Sequence, residues 1–180
     1  MKKNAFIILA EGFEEIEAVT PIDLLRRADI NVTIYGLSSK EIKGSHGIII
    51  KSDKLLSSQE EIPSALIIPG GVGHKNLLNS SVVLDYIKRC YNAGSLCAAI
   101  CAAPVVFAKA GILAGKKACC YPGFEDKLGG GIFVNEQVVI DGNIITGRGP
   151  GVAVLFSLEI ISYLLGRNTA DKVGSAILYY

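Results

Sequence analysis

The chain has 180 residues, 50% of them hydrophobic and 19% charged. This excludes disorder and gives one domain, residues 1–180, with a sizeable core. A formal net charge of +1 excludes a general attraction to nucleic acid or a membrane surface, and five irregularly spaced cysteines make no disulfide framework and fit a reducing cytoplasm.

Residues 5–10 are apolar and follow Met1-Lys2-Lys3, a faint export-signal pattern. The run is too short for one, and Glu11, Glu14, Glu15 and Glu17 follow at once, so residues 5–9 (AFIIL) read as a strand buried on both faces. A turn at Glu11-Gly12-Phe13 leads into a helix over 14–27, with Ile16, Val19, Ile22 and Leu25 at helical spacing. Its acidic start and Arg26-Arg27 end suit the helix dipole. Pro21 lies inside it and predicts a kink or a late start. Residues 31–37 form a second strand, which completes a β-α-β unit and predicts a parallel sheet with a right-handed crossover.

Residues 40–51 read as a small hairpin around Gly44-Ser45-His46-Gly47. A buried strand at 65–68 ends in Pro69-Gly70-Gly71-Val72-Gly73, and a helix follows at 81–92. Residues 96–100 (LCAAI) are a further buried strand that stops at Cys101. Ala102, Ala103 and Pro104 come next, then an apolar helical stretch at 105–110. Strands are expected at 117–120, 138–140 and 143–146, with Asp141-Gly142 as the hairpin turn between the last two. Helices at 151–165 and 169–180 finish the chain. No stretch is apolar for long enough to span a bilayer. Strand and helix alternate, so the class is α/β, a mostly parallel sheet with helices on both faces. Sites in such sheets gather beyond the carboxyl ends of the strands.

The turn at Cys101 has the form of a nucleophile elbow: a strand ends on a nucleophile type and passes at once into a helix, with small neighbours. A thiol near a helix N-terminus meets unpaired N–H groups and the positive end of the dipole. Both favour the thiolate and lower its pKa, and the same N–H groups suit a developing oxyanion. The alternative from these residues alone is a buried structural cysteine. Glu17, if it turns inward, must be protonated or hydrogen-bonded; otherwise it is a solvated helix-start acid, the better reading for Glu14 and Glu15. Gly70-Gly71 permits close backbone approach but is no phosphate loop. Arg148 either binds an anion or braces the last long helix against the sheet, and bracing is preferred. His46 and His74 read as surface residues. Cys90, Cys97, Cys119 and Cys120 read as packing, and no Cys/His spacing matches a zinc site, so no metal is expected.

Taken together, five segments resemble the DJ-1/ThiJ/PfpI superfamily, on its DJ-1 branch. They are EGFEEIE (11–17), PIDLLRR (21–27), PGG (69–71), AAICAAP (98–104) and TGRGPG (146–151), in order across nearly the whole chain. The resemblance implies a flavodoxin-like three-layer sandwich and a homodimer. It implies that Cys101 is the reactive, oxidation-prone cysteine, with Glu17 its protonated partner and the N–H groups of Gly71 and Ala102 an anion pocket. It further implies cofactor-independent glyoxalase or protein deglycase activity, acting on a small 2-oxoaldehyde or a glycated or misfolded protein, or an oxidation-sensing and chaperone role. A flavin- or nucleotide-binding module of the same fold ranks below these.

The sequence departs from the family pattern at three places. Tyr121 stands where many relatives have a histidine before proline, as an aromatic does in a bacterial sub-branch; this removes an acid/base suited to neutral pH. Ala102 follows the nucleophile where the peptidase branch has histidine, which disfavours protease activity. His46 replaces an arginine that helps line an anion site, making that contact weaker or pH-dependent.

Overall fold

The computed structural model describes residues 2–179. In chain order the elements are β1 (Asn4–Leu9), α1 (Glu15–Arg27), β2 (Asn31–Gly36), β3 (Glu41–Lys43), β4 (Ile49–Lys51), β5 (Lys54–Leu55), β6 (Ala65–Ile68), α2 (His74–Leu78), α3 (Ser81–Asn92), β7 (Leu96–Ile100) and α4 (Pro104–Lys109). Then follow β8 (Lys117–Ala118), β9 (Ile132–Phe133), β10 (Val138–Asp141), β11 (Ile144–Gly147), α5 (Ala153–Leu165) and α6 (Arg167–Ala176).

Seven strands form one sheet in the order β10-β11-β7-β6-β1-β2-β5. Within it only the β10–β11 pair is antiparallel. Every residue of β6 and β7 is buried, because helices cover both faces; this is why ALII and LCAAI show no apolar–polar alternation. Neighbouring residues feed opposite layers. Ile7, Leu9 and Ala98 pack with Leu25 of α1 and Phe156 and Ile161 of α5. Phe6, Ile8 and Ala99 pack with Ile87 of α3 and Val106 and Phe107 of α4. The result is a three-layer α/β sandwich with a mostly parallel sheet, the flavodoxin-like arrangement expected.

Several boundaries differ from the sequence reading. Helix α1 starts at Glu15 and runs without interruption through Pro21. Proline removes one backbone bond, and the buried face made by Ala18, Pro21, Ile22 and Leu25 holds the helix regardless. The β10–β11 loop is Gly142-Asn143 rather than Asp141-Gly142, since Asp141 pairs with Ile144. Gly142 takes φ +62°, as the first loop residue of a II′-type hairpin requires. Strand β8 ends two residues early because Cys119 N donates to Thr146 Oγ1 (2.9 Å) instead of to a strand neighbour. The last helix covers Arg167–Ala176, starting before the expected residue 169 and ending before 179; Tyr180, the expected end, lies outside the described residues.

Candidate active site

Strands β7, β6 and β1 are adjacent, so the segments leaving their carboxyl ends meet: Cys101 after β7, Pro69 to Gly73 after β6, and Glu11 to Glu17 after β1. Cys101 adopts φ +66°, a left-handed conformation costing about 1–2 kcal/mol for a residue with a Cβ. Its backbone is held on both sides. Cys101 N donates to Gly147 O (2.8 Å), and Cys101 O accepts from Tyr121 N (2.8 Å).

The glycines after β6 are required for space. A Cβ at Gly70 would stand 2.8 Å from Cys101 Cβ, 2.8 Å from Glu17 Oε2 and 3.0 Å from Ala102 N. Gly71 takes φ +80°, and a Cβ there would stand 2.5 Å from both Glu14 N and Gly12 O. The bare backbone therefore comes close to the thiol, and the N–H groups of Gly71 and Ala102 pull its pKa down.

Glu17 does turn inward and is fully buried. Its Oε2 accepts from Gly70 N (2.8 Å), and its carboxyl contacts Cys101. Its Oε1 is buried and has no hydrogen-bond partner among the described residues. Burial is the main cause that raises Glu17 to about 7, opposed by the Gly70 N–H and Cys101.

The expectation of a simply lowered Cys101 pKa is corrected. Burial first, then the charge of Glu17, pushes the thiol up to about 12, against the pull of the Gly71 and Ala102 N–H groups. The dipole contributes little: α4 has only six residues and starts three residues beyond the sulfur. The two acids therefore lose their protons as a pair. One proton leaves near pH 7 and the second is held to about 12, so between these limits one proton and one charge are shared. Were that proton on the Glu17 carboxyl, the charge would rest on the sulfur, a placement that the Gly71 and Ala102 N–H groups favour.

Cys101 opens onto a pocket of about 330 Å³, lined also by Glu14, His46, His74, Tyr121 and Phe124. Tyr121 is 46% exposed and stands at the rim. His46 is exposed, as expected, with Nδ1 2.9 Å from Glu15 Oε2 and 3.7 Å from Glu14 Oε1; the Glu15 hydrogen bond and these charges raise its pKa. Two assignments change. Glu15 is buried rather than solvated: its Oε1 accepts from His46 N (2.7 Å), clamping the β3–β4 turn to α1. His74 is buried rather than on the surface, edge-on to Phe124 at 5.4 Å between ring centroids. Both changes rest on contacts with segments distant in sequence. For His74 the only local sign was its place just after the Gly70–Gly73 loop.

Arg148 lies outside this pocket. It is exposed and lines a neighbouring pocket with Tyr121, Pro122 and Pro150. Its side chain forms no hydrogen bond among the described residues, so it does not brace the helix as expected. Cys90, Cys97 and Cys120 are buried in the core, and Cys119 is buried against Thr146. Among the described residues, one group brings metal-ligand types together: Glu14, Glu15 and His46 have ligand atoms within 4.8 Å of one another. His46 Nδ1 is already engaged by Glu15. No helix among the described residues is long and apolar enough to cross a membrane.

Comparison with known proteins agrees with this geometry. The model of the DJ-1/PfpI family matches residues 3–163. Protein dj-1beta of Drosophila melanogaster is 39% identical over 183 residues, covering 99% of this chain and 98% of that protein. The Parkinson disease protein 7 homolog of Danio rerio is 37% identical, covering 98% of this chain and 97% of that protein. Among solved structures, a mutant DJ-1 superfamily protein from Salmonella typhimurium superposes with a TM-score of 0.94 at 33% identity, covering 99% of this chain and 98% of that one. On this evidence the chain belongs to the DJ-1/PfpI family.

Proposed function

We propose that the chain is a cysteine-dependent stress protein whose Cys101 converts small 2-oxoaldehydes to hydroxyacids, methylglyoxal to lactate being the test case. The observation that carries this is the Cys101–Glu17 pair, with two N–H groups at the sulfur and an open pocket in front of it. The thiolate adds to the aldehyde carbon, and Glu17 gives its proton to the aldehyde oxygen, held by the Gly71 and Ala102 N–H groups. The Glu17 carboxylate then takes the hydrogen from that carbon as a proton, giving an enediol as the ketone oxygen is protonated; it returns the proton to the neighbouring carbon while the hydroxyl on the first carbon gives up its own. The first carbon is oxidised to a thioester as the second is reduced to an alcohol. Water cleaves the thioester, releasing the hydroxyacid and restoring the thiol. No external oxidant, metal or glutathione enters the balance. A carboxyl near 7 is suited to moving protons both ways at neutral pH. Purified protein should form lactate from methylglyoxal, and the Cys101→Ser variant should not; equal rates would reject this reading. The same chemistry on a glycated protein would be deglycation, with the hemithioacetal formed from the protein-bound adduct.

One observation favours a second reading. Tyr121 holds the position of the family histidine, leaving no imidazole there for turnover, while a protonated Glu17 Oε1 is a ready donor to a sulfinate oxygen on Cys101. Mild peroxide should then add oxygen to Cys101 before the other four cysteines, detected by mass spectrometry. Uniform oxidation would reject oxidation sensing. We further propose a homodimer through α1 and the adjoining hairpin, where Ile16, Val19, Ile48 and Ile49 are exposed. Light scattering should give twice the chain mass for the native protein and one chain mass for Ile49→Glu; a monomeric native protein would refute it. The five free cysteines support a cytoplasmic setting.

A further inference from the structure

The pocket wall that supplies the Gly71 N–H is intrinsically soft. Gly70, Gly71 and Gly73 lie within four residues, and Gly71 has a positive φ that its missing Cβ permits but does not enforce. Its direction must be set from outside the loop. Gly70 is held by Glu17 Oε2 at its N–H (2.8 Å) and by Glu14 N at its carbonyl (3.1 Å). Gly73 N donates to Gly12 O (2.8 Å). Gly71 itself is held through its carbonyl, which accepts from His74 at two points: Nδ1 at 2.8 Å and the backbone N at a longer 3.3 Å.

We propose that His74 is a positioning residue for the Cys101 site: its ring latches the Gly71 carbonyl, so that the Gly71 N–H on the other side of the residue stays aimed at the sulfur. A carbonyl oxygen only accepts, so Nδ1 carries hydrogen in both charge states of the ring. The latch therefore does not depend on ring protonation. The ring is pinned in turn by its edge-on contact with Phe124 and by burial. The role deepens the proposed function but does not need turnover to be observed, because its readout is the reactivity of the thiol.

The test compares His74→Asn with His74→Phe. Asparagine places an amide N–H where Nδ1 stands and keeps the donation; phenylalanine keeps the ring volume and loses the donor. The rate of Cys101 alkylation by iodoacetamide is measured against pH in each variant, with thermal unfolding recorded in parallel. His74→Asn should stay within about twofold of the native rate at pH 6, below the rise expected near pH 7. His74→Phe should fall about tenfold, which is one unit in the thiol pKa. A purely packing role gives the reverse order, and that order, or equal rates in all three proteins, overturns the proposal. Should His74→Phe not fold, nitrogen NMR of the native protein decides. The His74 ring must then show its hydrogen on Nδ1, and an Nε2–H tautomer overturns the latch. If the native protein makes no lactate while the alkylation rates follow the predicted order, the proposed catalysis fails and the latch stands.

Discussion

Replacing Glu17 by Gln should make the protein more resistant to unfolding above neutral pH and leave it nearly unchanged in acid. Glu17 is fully buried, and burial raises it from 4.5 to about 7. The first proton of the Glu17–Cys101 pair is held to about 7 on folding, so the stability it contributes is complete below the unfolded carboxyl value and is lost as pH rises through about 7, whichever atom keeps the remaining proton. The shift is about 2.5 units, so at 1.36 kcal/mol per unit the native protein loses about 3 kcal/mol between pH 4.5 and 8. Glutamine cannot ionise, and its carbonyl keeps the bond from Gly70 N. The difference between variant and native protein should therefore grow with pH, reaching about 3 kcal/mol, or roughly 6–12 °C in Tm for a chain of this size. Guanidinium unfolding at half-unit steps from pH 4.5 to 8.5 measures it. Unfolded thiols begin to ionise near the upper limit in both proteins, so the difference between them is what is read. A stability difference that is flat with pH would refute the buried, proton-holding Glu17 and the shared charge built on it.

Gly70→Ala should lose about 1–3 kcal/mol by overpacking against Cys101, Glu17 and Ala102 N, seen in denaturant melts, and its Cys101 should alkylate more slowly. Tyr121→His should raise methylglyoxal turnover at least about tenfold by restoring an acid/base at the pocket rim, measured as lactate formed per minute. His46 is raised by Glu15 and Glu14, so its grip on α1 is complete in acid and weakens as pH rises through its folded pKa. Protection factors of the amides of residues 45–48, which correct for base-catalysed intrinsic exchange, should therefore fall as pH rises above 6.5 in the native protein, and His46→Ala should remove that fall.

Much of the architecture can be read from the chain because burial on both faces leaves a plain signature. AFIIL, ALII and LCAAI are short apolar runs bounded by polar or glycine residues, and each is a central strand. The two-residue strands β5 and β9 and the five-residue α2 are too short to show any period. The turn at Cys101 is legible from the small residues and proline that follow it. What is not legible is tertiary. The burial of Glu15 depends on N–H groups of residues 46 and 48, about 30 positions on. His74 is buried by Phe124, which lies on a different segment. The direction of the Cys101 shift follows from desolvation and from a carboxyl across the fold, neither of which local spacing carries.

The most direct test of the shared charge is the alkylation rate of Cys101 from pH 5 to 10, in native protein and in Glu17→Gln. With the retained proton on Glu17, the native rate should rise through about pH 7 and then level off, and this rise should be absent from Glu17→Gln. A native rate with no rise near pH 7, or a profile unmoved by the substitution, would contradict it.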